Sequence, residues 1–209
     1  PYKFSKNEAF TYTAGKMSNF TIRVDKKAET GQYTLTLVNE SITPWESDLV
    51  SHDAEGKAYI VINTTRGHLK SSIIAANKDY TKLKNLKITG EIDATDFEFM
   101  KNEMTQLEAL NLKDVKVYGI FGEQEWNGIR DDIEREGVIP GMAMSGKKSL
   151  LYLVLPDKLE AIGPFAFYDC SNISGSLIIP EGVTRIGNNA FSQCNGIKGT
   201  LSLPRTLKY

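Results

Sequence analysis

The chain has 209 residues, 41% of them apolar, with 25 basic against 26 acidic side chains and a net charge of −1. That length accommodates one elongated domain or two small ones, and the balanced charge gives no strong field toward nucleic acid or an acidic lipid surface. No apolar run approaches the roughly 18 residues of a spanning helix, so this segment is not expected to cross a membrane.

In chain order, the first third reads as strand. Phe10–Thr13, Phe20–Val24, Tyr33–Val38 and Tyr59–Ile62 are rich in Thr, Tyr, Val and Ile, the residues that suit a pleated, half-buried surface. Ala14-Gly15, Thr30-Gly31, Thr43-Pro44 and Glu55-Gly56 punctuate them as turns. Residues 1–58 are therefore expected to form a small antiparallel β-domain, in the manner of an incomplete sandwich, or a β-rich cap on the remainder of the chain. Arg66 to Ala76 predicts a helix, with Leu69, Ile73 and Ile74 on one face.

From here a period emerges. Leu86-Lys87-Ile88 and Leu110-Asn111-Leu112 lie 24 residues apart and alternate in, out, in. Ile92, Phe97 and Met100 between them are spaced to pack inward. The next matching leucine, Leu153, follows Leu110 by 43 residues, so one unit carries 19 extra. The stretch IPGMAMSGKKSL (139–150) mirrors IGPFAFYDCSNI (162–173), which places the insertion at about 118–137 and makes it a loop.

The period is plainest at the end of the chain. LVLPDKLEAIGPFAFYDCSNISGS (153–176) is followed by LIIPEGVTRIGNNAFSQCNGIKGT (177–200), and a third copy opens with LSLP at Leu201. A fixed period of about 20–50 residues signals a solenoid, whose units cannot bury their apolar sides alone and must stack. Each column has a reading. The first residues of each copy form a short strand that proline ends, because it lacks an N–H. Gly163 and Gly187 are expected to supply a turn with positive φ. Ala166-Phe167 and Ala190-Phe191 read as one helical turn, with Phe167 and Phe191 buried and stacked one turn apart. Gly175 and Gly199 allow the bend into the next strand. Cys170 and Cys194 fill one small apolar slot. Their proximity permits a disulfide, but the buried free thiol is the preferred reading. With only His52 and His68 and no Cys-x-x-Cys pair, no metal site is expected.

The phrase LPxxLxxIGxxAFxxC resembles the BspA-like branch of leucine-rich repeat proteins, common on the surface of Bacteroides-type bacteria. The resemblance covers about Tyr59 to Tyr209; Met144 and Lys147 depart from it, standing where Phe and Cys are typical. It implies an α/β leucine-rich-repeat solenoid of 24-residue units over 59–209, an extracellular or cell-surface location, and recognition or adhesion in place of catalysis. It brings no catalytic residues and no cofactor. A chain that begins at Pro1 is expected to be a trimmed product. LSLPRTLKY halts before the next Ile-Gly, so the repeats are expected to continue or to end in an uncapped turn.

The residues themselves offer little chemistry. His68 sits between Arg66 and Lys70 at a helix start, and His52-Asp53 lies in a polar loop without a nucleophile motif. Glu123, Glu125, Asp131, Asp132, Glu134 and Glu136 form the one dense set of carboxylates; interspersed with Arg130 and Arg135, they read as a solvated loop or short helix. Asn19, Asn39, Asn63 and Asn172 match the N-glycosylation pattern, which in a bacterial protein is coincidence. The candidate binding surface is the outward strand face, Lys87, Asn111, Val154, Ile178 and Ser202, with neighbours Tyr152 and Ser176. The insertion aromatics Tyr118, Phe121 and Trp126 are a second candidate, as a binding tip or as a fold-back onto the repeat sheet. The partner is expected to be a protein or a glycan, engaged by the strip or, in a carbohydrate-binding accessory protein, by the aromatics. A structural spacer is the third reading.

Overall fold

The computed structural model describes residues 16–26, 33–44 and 50–52 as backbone, and residues 58–122 and 133–208 in full. The chain divides into two compact units, residues 1–48 and 49–209. In the first, β1 (Lys16–Lys26) pairs antiparallel with β2 (Tyr33–Pro44), with a bulge between Thr21 and Ile22. Thr43-Pro44 is not the turn that its composition suggests. It continues β2, opposite Met17 and Lys16, a place where the end of an edge strand tolerates a missing N–H. The expected strand at 10–13 and the turns at 14–15, 30–31 and 55–56 lie outside the described residues.

The second unit opens with β3 (Val50–His52), β4 (Ala58–Thr64), α1 (Leu69–Ala75), β5 (Asn85–Ile92), α2 (Ala94–Asn102) and β6 (Ala109–Asn111). The insertion is flanked by β7 (Val115–Gly119) and β8 (Arg135–Glu136), which pair antiparallel through Tyr118 and Glu136. Its base is thus a short hairpin. The repeats follow as β9 (Val138–Ile139), β10 (Tyr152–Val154), β11 (Ala161–Ile162), β12 (Gly175–Ile178), β13 (Arg185–Ile186) and β14 (Ile197–Ser202).

Successive turns stack through parallel ladders. Leu153 pairs with Leu110, Leu110 with Leu86, and Leu86 with Ile60, so steps of 43, 24 and 26 residues become one row across β10, β6, β5 and β4. β3 lies antiparallel on β4 and closes that end of the sheet. A second parallel sheet joins β9, β11 and β13, and β12 pairs with β14. The leucine and isoleucine rows, together with Phe97, Met100 and Phe167, form one continuous core from Ile62 to Cys194. α2 starts where Asp93 accepts from the Thr95 and Asp96 amides while the Asp96 carboxylate accepts from the Asp93 amide, a reciprocal cap on otherwise orphaned N–H groups.

The segments expected to be single helical turns are not helical. In 164–170 the amides of Ala166, Tyr168 and Cys170 bond three residues back. Those of Phe165, Phe167 and Asp169 donate instead to the carbonyls of Asn188, Ala190 and Ser192 on the next turn. Residues 142–147 bond to 164–168 in the same way. A helix would use every amide internally and leave none for the neighbour. The alternation is produced by left-handed residues at every fourth position, Phe165 and Asp169 in one turn, Asn189 and Gln193 in the next.

That finding corrects the reading of Gly163 and Gly187. Neither lies in the left-handed region; the positive φ falls two residues later, at Phe165 and Asn189. The glycines are required by close approach. A Cβ on Gly163 would sit 2.5 Å from the Gly141 nitrogen, and one on Gly187 would sit 2.4 Å from the Pro164 nitrogen. Gly175 does take positive φ, at 83°, with open space where a Cβ would go. Phe167 and Phe191 stack with centroids 5.2 Å apart and planes 7° from parallel. Phe167 is fully buried, but Phe191 is only half-buried.

Candidate interaction surface

The outward positions of the strand row fall in register: Val154 beside Asn111, and Asn111 beside Lys87. They do not form one uniform strip. Asn111 is buried, and its side-chain oxygen accepts from the Lys113 amide at 3.0 Å, so it ends β6 in a local turn instead of offering itself outward. Ala109 is also buried. The Lys87 ammonium lies 2.6 Å from the Asp114 carboxylate, and its side chain is only 21% exposed. The half of the face nearer the C-terminal repeats is different. Ile178 is 66% exposed and Tyr152 38%, with Val154 half-buried between them in sequence and Ser176 and Ser202 exposed. The Ser176 hydroxyl accepts from the Thr200 amide at 3.0 Å. Leu201 and Leu203, which belong to inward columns, are more than half exposed.

The aromatics at the start of the insertion fold back. Phe121 is buried against Val138 and Ala161, beneath the Arg185 guanidinium at 4.3 Å, a cation–π contact. Tyr118 is half-buried under the Arg66 guanidinium at 4.4 Å, and its hydroxyl donates to Glu136 at 3.0 Å. That bond holds the phenol proton and raises the Tyr118 pKa. Arg66 also pairs with Glu134. Glu134 and Glu136 are therefore engaged in fastening the hairpin; Trp126 and the rest of the acidic cluster lie outside the described residues. Beside Phe121 runs an open groove of about 630 Å³ between Ile120, Met142, Pro164 and Phe165, which is not legible in the sequence because its walls come from three different turns.

Other sequence candidates have structural partners. The His68 ring nitrogen lies 2.6 Å from the Arg66 carbonyl, and the Asn172 side chain donates to the Lys148 carbonyl one turn back. Among the described residues, no group of three His, Cys, Asp or Glu is placed to hold a metal ion, and no helix is long and apolar enough to cross a membrane.

A family model described as "BspA type Leucine rich repeat region (6 copies)" matches residues 138–209. Those residues are a BspA-type leucine-rich repeat region. Among solved structures, the chain is similar to a leucine rich cell surface protein from Faecalibacterium prausnitzii, at 18% identity and a TM-score of 0.31. The match covers 92% of this chain and 55% of that one, so the chain spans about half of that protein's length. No curated protein matches.

Within the BspA-type repeat the cysteine column is a donor column as well as a small apolar slot. The Cys170 thiol donates to the Met144 carbonyl at 3.0 Å, and the Cys194 thiol to the Phe167 carbonyl at 3.1 Å. Both are free and buried. Burial disfavours the thiolate and pushes the Cys170 pKa from 9.0 up to about 12; Cys194 is raised as well. A group whose pKa is raised on folding contributes stability that is complete below its unfolded value and is lost as pH climbs toward its folded one. Unfolding free energy should therefore decline from pH 9 toward 12, by up to about 1.4 kcal/mol per pH unit for one thiol. Urea melts across that window should show a shallower decline for Cys170→Ala than for the wild type. Equal slopes would mean that the thiol is not held protonated.

Proposed function

We propose that this chain is a non-catalytic recognition or adhesion module of the cell surface, binding a protein or glycan partner on the outward strand face of a leucine-rich-repeat solenoid. In this reading the solenoid spans 59–209, carries its insertion at about 118–137, and follows a small β-rich domain or cap at 1–58. The observation that carries it is the exposure of Tyr152 on β10, with Val154 beside it, and of Ile178 on the neighbouring strand β12. Large apolar side chains presented together on an ordered surface often mark an interface. Ser176 and Ser202 supply a polar margin, whereas Lys87 and Asn111 drop out of the surface because each is committed within the fold.

The alternative, a carbohydrate-binding accessory protein using the insertion aromatics, rests mainly on Trp126, since Phe121 and Tyr118 are engaged at the insertion's base. A spacer role would leave the strip without a partner. The test is to screen the full chain on a glycan array and against a display library of secreted proteins, and to repeat each hit with Ile178→Asp. That side chain points away from the core, so circular dichroism and melting should be nearly unchanged. Affinity should fall by about 2 kcal/mol or more if the strip is a hot spot. Undiminished binding by Ile178→Asp, with loss on Trp126→Ala, would transfer the site to the insertion.

A further inference from the structure

Among the described residues two charged side chains are buried, Asp96 and Lys147, and each acts at a helix end. Asp96 accepts from the Gly67 and Leu69 amides at the start of α1, at 2.8 and 2.9 Å. The Lys147 ammonium donates to the Lys101 and Met104 carbonyls at the end of α2, at 3.0 and 2.7 Å. The reason lies in how turns are joined. From 141 onward, successive turn segments are linked by three backbone rungs each, such as Met142, Met144 and Gly146 donating to Pro164, Ala166 and Tyr168. A helix consumes its own backbone groups and leaves only its terminal amides and carbonyls for a neighbour. Among the described residues, no backbone hydrogen bond joins 94–107 to 141–150. On the helix side of that seam the rungs are replaced by lysines: Lys147 reaches back to α2, and the Lys101 ammonium reaches forward to the Met142 carbonyl at 3.2 Å, while the strand side keeps its backbone ladder between β6 and β10.

We infer that Lys147 is a strap on the helix side of the helix-to-repeat seam, adding to the β6–β10 ladder of the strand side so that both halves of the stack open together. It stands in the column that Cys170 and Cys194 occupy one and two turns later. All three side chains serve the same purpose, donating to a carbonyl of the preceding turn. A thiol suffices where that turn is a backbone-laddered neighbour. The helix end lies farther off, and a long side chain with several donors spans the distance. The ammonium also carries the charge that suits a helix C-terminus. What looks from the sequence like a degenerate repeat is a junction piece.

The experiment is native-state hydrogen exchange and urea unfolding of the full chain with Lys147→Cys, which installs the column's own residue, and Lys147→Met, which keeps the length without the donors. Both should raise exchange in residues 138–173 by about tenfold or more while 58–112 stay protected, and should split one transition into two. Wild-type exchange in 138–173, or equal acceleration on both sides of the seam with a single transition, would overturn the inference. Should neither variant fold, the wild type decides. Its ¹⁵N spectra should contain one side-chain ammonium in slow exchange with water at neutral pH, that of Lys147, and the lack of any protected ammonium would overturn it.

Discussion

Gly163→Ala should destabilise the repeat unit by at least about 3 kcal/mol in urea melts, the upper end of what overpacking a core costs. A new Cβ would meet the Gly141 nitrogen at 2.5 Å and the Pro140 carbonyl carbon at 2.8 Å. Both are backbone atoms of the preceding turn, so no side chain can rotate away to make room. Relief would require the turns to part, and that would stretch the rungs joining Met142, Met144 and Gly146 to the next turn. Gly175→Ala is the internal control. Its φ of 83° makes it unfavourable for alanine, but nothing lies within 4 Å of the added carbon. The loss there should be only the roughly 1–2 kcal/mol of a left-handed non-glycine residue. If Gly163→Ala costs no more than Gly175→Ala, the contact argument fails and the turns are more loosely stacked than described.

Phe167→Ala should cost about 3–5 kcal/mol, the range for removing a large buried aromatic whose site cannot collapse. The ring is fully buried, and it is stacked on Phe191 at 5.2 Å. Collapse is resisted because the Phe167 amide is tied to the Ala190 carbonyl and its own carbonyl receives the Cys194 thiol. Phe191→Ala should cost clearly less, since that side chain is only partly buried and loses less transfer free energy. Denaturant midpoints at constant slope would measure both. Equal losses at the two positions would show that Phe191 is as fully covered in solution as Phe167.

Both predictions come from columns that the sequence displays openly. The pairing of Leu86 with Leu110 follows from spacing alone, because residues one period apart must meet when turns stack, whereas Ile60, 26 residues before Leu86, joins the row only in the structure. The expected insertion rests on the same reasoning, as a break in an otherwise regular count. Conformation within a column was less so. Glycine at 163 and 187 answers to two different demands, a left-handed φ or a near backbone, and one letter does not distinguish them. Ala-Phe with helical flanking looks the same in a helix as in a chain of i to i−3 turns. What separates them is whether alternate amides find carbonyls on the next turn.

The candidate site divides along the same line. Which residues occupy the outward strand positions was set by the period of two along each strand. Exposure was set by the neighbours. Asn111 turned inward because its own loop supplied an amide at 3.0 Å, and Phe121 was claimed by Val138 and Ala161 from later turns. Lys147 reads as a flaw in the repeat until the end of α2 is found beside it. The sequence by itself determined the repeat, its core columns and the BspA-type match of residues 138–209, since these rest on local periodicity and side-chain size. Only the tertiary structure decided which glycines bear contact, which aromatics face solvent and which lysine is buried. Those outcomes depend on atoms brought together from turns about 24 or more residues apart in the chain, and no local pattern encodes the distance between them.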